Sequence, residues 1–407
     1  AQEVLPVPDG EWIPVAGIDA GPVDEPVPED PVPEETGPVV VNPGDPLADL
    51  VNERGPGTEF LIKAGVHVGH ALFPASGMKF IGEPGAVLDG GGISSNAFFG
   101  ADGIDGVEIR GLEIRNYRVG LFDGAISARV VNDWTSEGRD WLVVGNNIHS
   151  NGGAGISLGS GMMVIDNLIH DNQQIGISGI ANNDTRLNRI TIEGNEIYRN
   201  SVNPDYEFGF HEGGIKTLFT SDLLVRNNDI YGNGGVALYC DELCESGLIE
   251  DNSMYNNWGR SNGGGVFLEL SENMVVRNNF IGSGGHLTYP YAIRFFGGIT
   301  IGESHNIVIE GNLVEVDDAA GIVVRNCCSE RRDPSSRIVI EANTVRSTDG
   351  GPVTVGLTDG NSSVDLITYR NNTYVGNINF YWNGSWLGFQ SWQDIGQDEA
   401  GSSSFSG

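Results

Sequence analysis

The chain has 407 residues, 39% of them apolar, and 60 glycines, about twice the usual share for a globular protein. Its formal net charge is −33, from 22 basic against 55 acidic residues. A surface this acidic repels DNA, RNA and anionic lipid, so nucleic acid is excluded as a partner, and no apolar run reaches the roughly 18 residues that a membrane-spanning helix needs.

Residues 1–38 are rich in Pro, Val, Asp and Glu, with seven acids between Asp19 and Glu35. Proline removes backbone donors and like charges repel, so this stretch reads as an acidic linker or tail. The start Ala1-Gln2-Glu3 reads like a mature end left after signal-peptide removal, so a secreted, extracellular or cell-surface location is expected. Asp45-Pro46 before Leu47 predicts an N-cap, a first-turn proline and a short helix over residues 47–51. Short strands follow at 59–63, 66–68, 79–82 and 86–89. A helix over the first coil would cap the open end of a β-solenoid, otherwise an adhesive edge.

A repeat dominates the rest. A unit reading apolar-x-x-Asn-x-apolar puts its asparagine in one column: Asn146, Asn167, Asn195, Asn228, Asn252, Asn279, Asn312, Asn343 and Asn372. The intervals run from 21 to 33 residues, a rung of twenty-odd residues plus loops. A buried turn leaves backbone groups that need partners, and a stacked asparagine in every rung supplies them. Most units continue with a second strand after glycine, as in Gly214-Ile215-Lys216-Thr217 and Gly265-Val266-Phe267-Leu268. The fold class is therefore all-β: a right-handed parallel β-helix over 39–395 with a short N-terminal capping helix. Trp382, Trp386 and Trp392 suggest a closing segment, and 396–407 reads as a flexible polar tail.

Four cysteines are present. Cys240 and Cys244 could close a small loop disulfide; Cys327 and Cys328 would need a rare vicinal bridge. No zinc-type Cys/His spacing occurs. Acid-rich turns suit Ca²⁺, but without a fixed ligand spacing, so no cofactor is certain and Ca²⁺ stays possible.

Aligning Ile215, Val236, Val266, Ile293 and Ile322 as one inward position predicts which residues face out. The outward set is Lys216, Phe267, Arg294, Tyr239, Glu269, Phe296 and Arg325, with Asp241 after Tyr239. Earlier rungs offer serine, glycine and isoleucine there, so functional side chains begin abruptly at Lys216. The preceding loop, 203–212, brings His211 and Glu212 to the same face. Lys216, Tyr239, Glu269, Arg294 and His211 are the catalytic candidates; Glu212, Asp241, Phe267, Phe296 and Arg325 are the substrate-binding candidates. Three chemistries fit. A Lys or Tyr base could abstract a proton α to a uronate carboxylate neutralised by Arg294. Two carboxylates among Glu212, Asp241 and Glu269 could hydrolyse a glycosidic bond. Or the face binds glycan without reacting. The plainer readings are that Lys216 and Arg325 are solvated, that Tyr239 and Phe296 stack between rungs, and that Glu269 pairs with Arg294. His149 and His170 share a column with Tyr198, Tyr231 and Tyr255 and read as a structural stack.

At Phe80-Ile81-Gly82-Glu83-Pro84-Gly85-Ala86-Val87-Leu88-Asp89-Gly90, Phe208-Gly209-Phe210-His211-Glu212-Gly213-Gly214-Ile215-Lys216 and Gly265-Val266-Phe267-Leu268-Glu269-Leu270-Ser271, the chain resembles secreted right-handed β-helix repeat proteins of the pectate-lyase-like superfamily. It is similar to the β-helix polysaccharide lyases and alginate C5-epimerases among them. Residues Glu212, Lys216, Asp241 and Glu269 match that family's pattern, whereas Tyr239 stands for a tryptophan and Leu268 for a histidine. The resemblance implies a lyase or epimerase acting on a uronate-containing polysaccharide, with a glycoside hydrolase or a non-catalytic glycan binder as alternatives. The chain is expected to act on its polymer as a monomer.

Overall fold

A computed structural model describes residues 37–93, 95–129, 136–182, 185–203, 209, 211–258, 263–282, 297–325, 334–357 and 366–404. Among them the chain lays one strand per turn on each of three sheets, of 13, 13 and 12 strands. One turn shows the plan: Leu187–Glu193 joins the first sheet, Glu196–Tyr198 the second and Gly213–Leu218 the third. Each strand stacks in parallel on its counterpart one turn on, with Leu187 beside Thr220, Ile197 beside Ile230 and Ile215 beside Leu238. This is the expected parallel β-helix.

Alternation explains the interior. On each short strand one side chain points in and its neighbours point out. In the second sheet Ile148, Ile169, Ile197, Ile230 and Met254 form one wholly buried inward column. Each such side chain contributes about 2 kcal/mol by leaving water. Outside the same sheet, His149, His170, Tyr198, Tyr231 and Tyr255 stack face to face with ring centres 4.6–5.1 Å apart, the expected column.

The asparagine ladder forms at the turn from first to second sheet. Asn195 Nδ2 donates to Asn228 Oδ1 at 3.0 Å, and Asn228 Nδ2 donates to Asn252 Oδ1 at 2.9 Å. The residue before each ladder asparagine is left-handed, as at Gly145 (φ 64°), Asp166 (φ 53°) and Gly194 (φ 68°). Gly, Asp and Asn tolerate that conformation best, which accounts for their frequency there. A second ladder, unread in the sequence, runs through Asn151, Asn172, Asn200, Asn233 and Asn257 at the turn into the third sheet. Its signal was available: each member follows a first-ladder asparagine by five residues.

Both ends are closed. The N-terminal helix spans Leu47–Glu53 and buries Leu47 and Val51. Its cap differs from expectation: Pro46 is the N-cap, and the Asp45 carboxylate instead accepts from the Asn42 backbone at 2.7 Å. At the other end the helix Phe389–Asp394 packs Trp392 against Phe380 and Tyr369. The first ladder ends on Asp398, which accepts from Asn372 Nδ2 at 2.9 Å, Tyr374 Oη at 2.5 Å and Trp392 Nε1 at 3.0 Å. Ser402–Ser404 then pairs with Thr373–Val375. Within the stretch read as a polar tail from 396, Asp398 thus supplies an acceptor for the ladder and Ser402–Ser404 a strand for the edge of the last rung.

Cys240 and Cys244 are buried free thiols, so the small loop disulfide is not formed. Thr217 Oγ1 lies 3.5 and 3.3 Å from their sulfurs. Cys327 and Cys328 lie outside the described residues.

Candidate active site

The candidate residues sit on the third sheet, on strands Gly213–Leu218, Val236–Asp241, Gly264–Glu269, Gly297–Gly302 and Ala320–Arg325. The register differs from the sequence alignment. Leu238, not Val236, lies beside Ile215 and Val266, and Ile299, not Ile293, occupies the next rung. A shift of two residues preserves the face, so Tyr239 still points out, but it joins the column of Lys216 and Phe267, which continues to Thr300 and Val323. Val236 packs with Tyr239 and Phe267, apart from the main core. The periodicity of two cannot distinguish such shifts, because either register buries one alternate set. Arg294 and Phe296 precede the strand Gly297–Gly302 and lie outside the described residues; Thr300 and Gly302 hold the positions assigned to them.

Lys216 and Asp241 meet across neighbouring rungs, with Nζ 2.8 Å from Asp241 Oδ2. Lys216 is wholly buried, and its ammonium also lies 4.1 Å from the centre of the Tyr239 ring. The Tyr239 hydroxyl donates to Glu269, and its ring stacks on Phe267 at 4.6 Å. The Arg325 guanidinium lies 5.6 Å from the Phe267 ring centre. One connected group therefore contains Lys216, Asp241, Tyr239, Glu269, Phe267 and Arg325. Glu212 is buried beside it on the loop into Gly213.

Burial sets the electrostatics. It lowers the Lys216 pKa, while Asp241 opposes the shift. It raises the Tyr239 phenol far above its ordinary range, helped by the charges of Asp241 and Glu269. It raises Glu269 as well; the bond from Tyr239 pulls the other way and the Asp241 charge adds to the rise. His211 is lowered, first by burial and then by the Lys216 charge. Near neutral pH the group thus offers a neutral imidazole and a protonated phenol around a buried ion pair.

Sequence reading missed what holds His211. Phe122, three rungs earlier, packs its ring edge-on against the imidazole with centres 4.8 Å apart. Phe122 is itself left-handed, at φ 65°, an unusual conformation for a large side chain. Its backbone N–H donates to Gln174 Oε1 at 2.7 Å. The buried Nδ1 of His211 and Nε2 of Gln174 have no hydrogen-bond partner among the described residues. No periodic pattern marks Phe122, since it lies in a loop.

Comparisons with known proteins agree with the fold. Residues 130–289 match the family model described as right handed beta helix region, and residues 212–399 match that of the periplasmic copper-binding protein NosD. Similar solved structures include the A-module of the mannuronan C-5 epimerase AlgE4 of Azotobacter vinelandii, at 16% identity, 88% of this chain, 94% of that chain and a TM-score of 0.57. The A-module of its AlgE6 epimerase has 14% identity, 88% and 93% coverage and a TM-score of 0.53. A mannuronic acid specific polysaccharide family 6 lyase from human gut microbiota has 13% identity, 84% and 82% coverage and a TM-score of 0.55. No match was found among curated protein sequences. The chain is a right-handed parallel β-helix protein, the fold that these structures share.

The described residues offer no donor set suited to copper. Among the described residues no three His, Cys, Asp or Glu side chains gather as a metal site. His149 and His170 are committed to their stack and to Glu113, Ser150, Asp171 and Asn147. Nor do three carboxylates gather among the described residues as a site for Ca²⁺. No helix among the described residues is long and apolar enough to cross a membrane.

Proposed function

We propose that this protein is a polysaccharide-active enzyme that abstracts the C5 proton of a uronate unit, as a lyase or an epimerase. One observation carries the reading: a wholly buried Lys216 cation is held beside a phenol and near an imidazole that burial keeps neutral. A uronate C5–H becomes acidic only when its carboxylate charge is offset, and Lys216 and Arg325 supply that positive field. Neutral His211 takes the proton. In elimination the electron pair forms the C4–C5 double bond, and the glycosidic oxygen leaves with the proton of Tyr239. In epimerisation Tyr239 instead returns a proton to the opposite face of C5. Glu269, bonded to the phenol, holds its orientation. Lys216 acts through its charge rather than as the base, since no part of its side chain reaches the surface. The similar structures support the choice of polymer, for they include mannuronan epimerases and a mannuronic acid specific lyase. An extracellular or periplasmic location suits such a substrate and the periplasmic family matched over residues 212–399.

A second reading has its own observation. Asp241 is ion-paired with Lys216, whereas burial raises Glu269, so two carboxylates on one face have divergent environments. That division assigns Glu269 as acid and Asp241 as base or nucleophile in a glycoside hydrolase.

The test is ultraviolet absorbance with alginate, pectate, chondroitin and ulvan, run in parallel with NMR in deuterated water. New absorbance marks a lyase, and deuterium at C5 without absorbance marks an epimerase. Reducing ends with neither mark the hydrolase. A protein silent in all three assays refutes enzymatic action on these polymers. Lys216→Met should remove turnover by a factor of about 10²–10⁴ while the circular dichroism of the solenoid persists.

A further inference from the structure

A cavity of about 510 Å³ opens at the corner between the second and third sheets, on the turns that precede the ionic cluster. Arg118 and Arg199 line it, with one carboxylate, Asp171. Asp171 is already shared, its two oxygens lying 2.8 Å from His170 Nδ1 and 2.9 Å from Arg199. Arg118 has no ion pair with a described residue. Most other arginines among the described residues are paired, as Arg115, Arg226, Arg277, Arg346 and Arg370 each lie against a carboxylate. An uncommitted cation in a concave site, on a chain of net charge −33, marks a local reversal of the field.

The backbone makes room for that cation. A Cβ added at Gly92 would lie 3.3 Å from Arg118 Nε, so the guanidinium lies along bare backbone. Gln173 and Asn203 add neutral donors and acceptors, and half-exposed Val202 adds a small apolar surface. Guanidinium for a carboxylate, amides for hydroxyls and an apolar patch for a ring face together match an acidic sugar. Neighbours of the lining residues connect the cavity to the candidate active site. Phe122, four residues after Arg118, packs on His211, and Gln174, the neighbour of Gln173, fixes the Phe122 backbone.

We propose that this cavity is an anchoring subsite for a carboxylated sugar unit of the polymer that reaches His211. The link to turnover rests on the proposed function, but binding of the acidic sugar does not. Calorimetric titration of the full chain with mannuronate, galacturonate and chondroitin oligomers, against neutral xylo-oligomers, tests it. The wild type should bind one acidic series and not the neutral one. Arg118→Ala should weaken that binding about tenfold or more, the loss of one charge-assisted contact, and Arg118→Lys should restore part of it. Equal binding by wild type and Arg118→Ala overturns the proposal, as does affinity confined to neutral or sulfated chains, or no binding at all. If acidic oligomers bind through Arg118 but no polymer turns over, the subsite stands and the catalytic reading falls. If polymer turns over and Arg118→Ala leaves KM and affinity unchanged, the subsite falls and the catalytic reading stands.

Discussion

Replacing Asn228 by alanine tests whether the ladder holds the rungs in place. Asn228 Oδ1 accepts from the Asn195 backbone at 2.9 Å and from Asn195 Nδ2 at 3.0 Å. Its Nδ2 donates to Ile192 O, Arg226 O and Asn252 Oδ1, each at 2.9 Å. Some partners have alternatives: Asn195 Nδ2 keeps Val164 O at 2.8 Å, and Asn252 Oδ1 keeps the Asn228 N–H at 3.0 Å. The Asn195 N–H loses the partner it has in the turn. One orphaned buried donor costs about 1–3 kcal/mol and each lost side-chain bond about 0.5–1.5 kcal/mol. Allowing for non-additivity in a shared network, Asn228→Ala should destabilise its rung by about 3–5 kcal/mol. A solenoid distributes stability by neighbours, so the loss should appear locally. Hydrogen exchange read by mass spectrometry should show faster opening of peptides around 192–252 and little change at either end. Gln390→Ala, which removes a surface bond to Asp394 at 3.0 Å, should stay within about 0.5 kcal/mol. An Asn228→Ala rung that opens within about 1 kcal/mol of wild type would show that the parallel strands suffice without the ladder.

Tyr239→Phe keeps the stack on Phe267 but deletes the hydroxyl bonded to Glu269, so turnover should fall about 100-fold with the melting temperature nearly unchanged; a wild-type rate would remove Tyr239 from the chemistry. His211 is lowered from 6.5, so its base form is available at lower pH, and the acid limb of the rate profile should lie below pH 6.5. Lys216→Met removes one cause of that lowering and should move the limb of its residual activity upward; a limb above 6.5 in the wild type contradicts the assignment of His211 as base. Asp398→Ala strips Asn372, Tyr374 and Trp392 of a shared acceptor and should expose the last rung to proteolysis, while rungs near Asn228 stay protected.

The candidate face was legible in part. Lys216, Tyr239, Glu269, Asp241 and His211 were chosen because charged and aromatic residues replace the serines of earlier rungs. Their partners were not legible. Lys216 was expected near the surface, where it would be solvated, yet it is buried against Asp241 and Tyr239. Tyr239 was placed one column away from Lys216, because a strand shifted by two residues has the same inward and outward pattern. Arg118 and Arg199, remote in sequence, lie in one cavity only after the chain has wound through three turns.

What the sequence determines by itself is the coil. The asparagine column and the alternating Ile, Val and Leu recur at rung spacing, and each rung repeats the same local problem of a buried turn and a narrow interior. Nearest-neighbour physics of that kind is written in every repeat. What the tertiary structure decides is the register between rungs and the environment of each outward side chain. Loop lengths that vary from rung to rung set which strands stack in which register. Burial then determines that Lys216 is an enclosed cation, that Glu269 and Tyr239 are raised, and that His211 is lowered. No residue type carries its own desolvation; that depends on what the fold places around it.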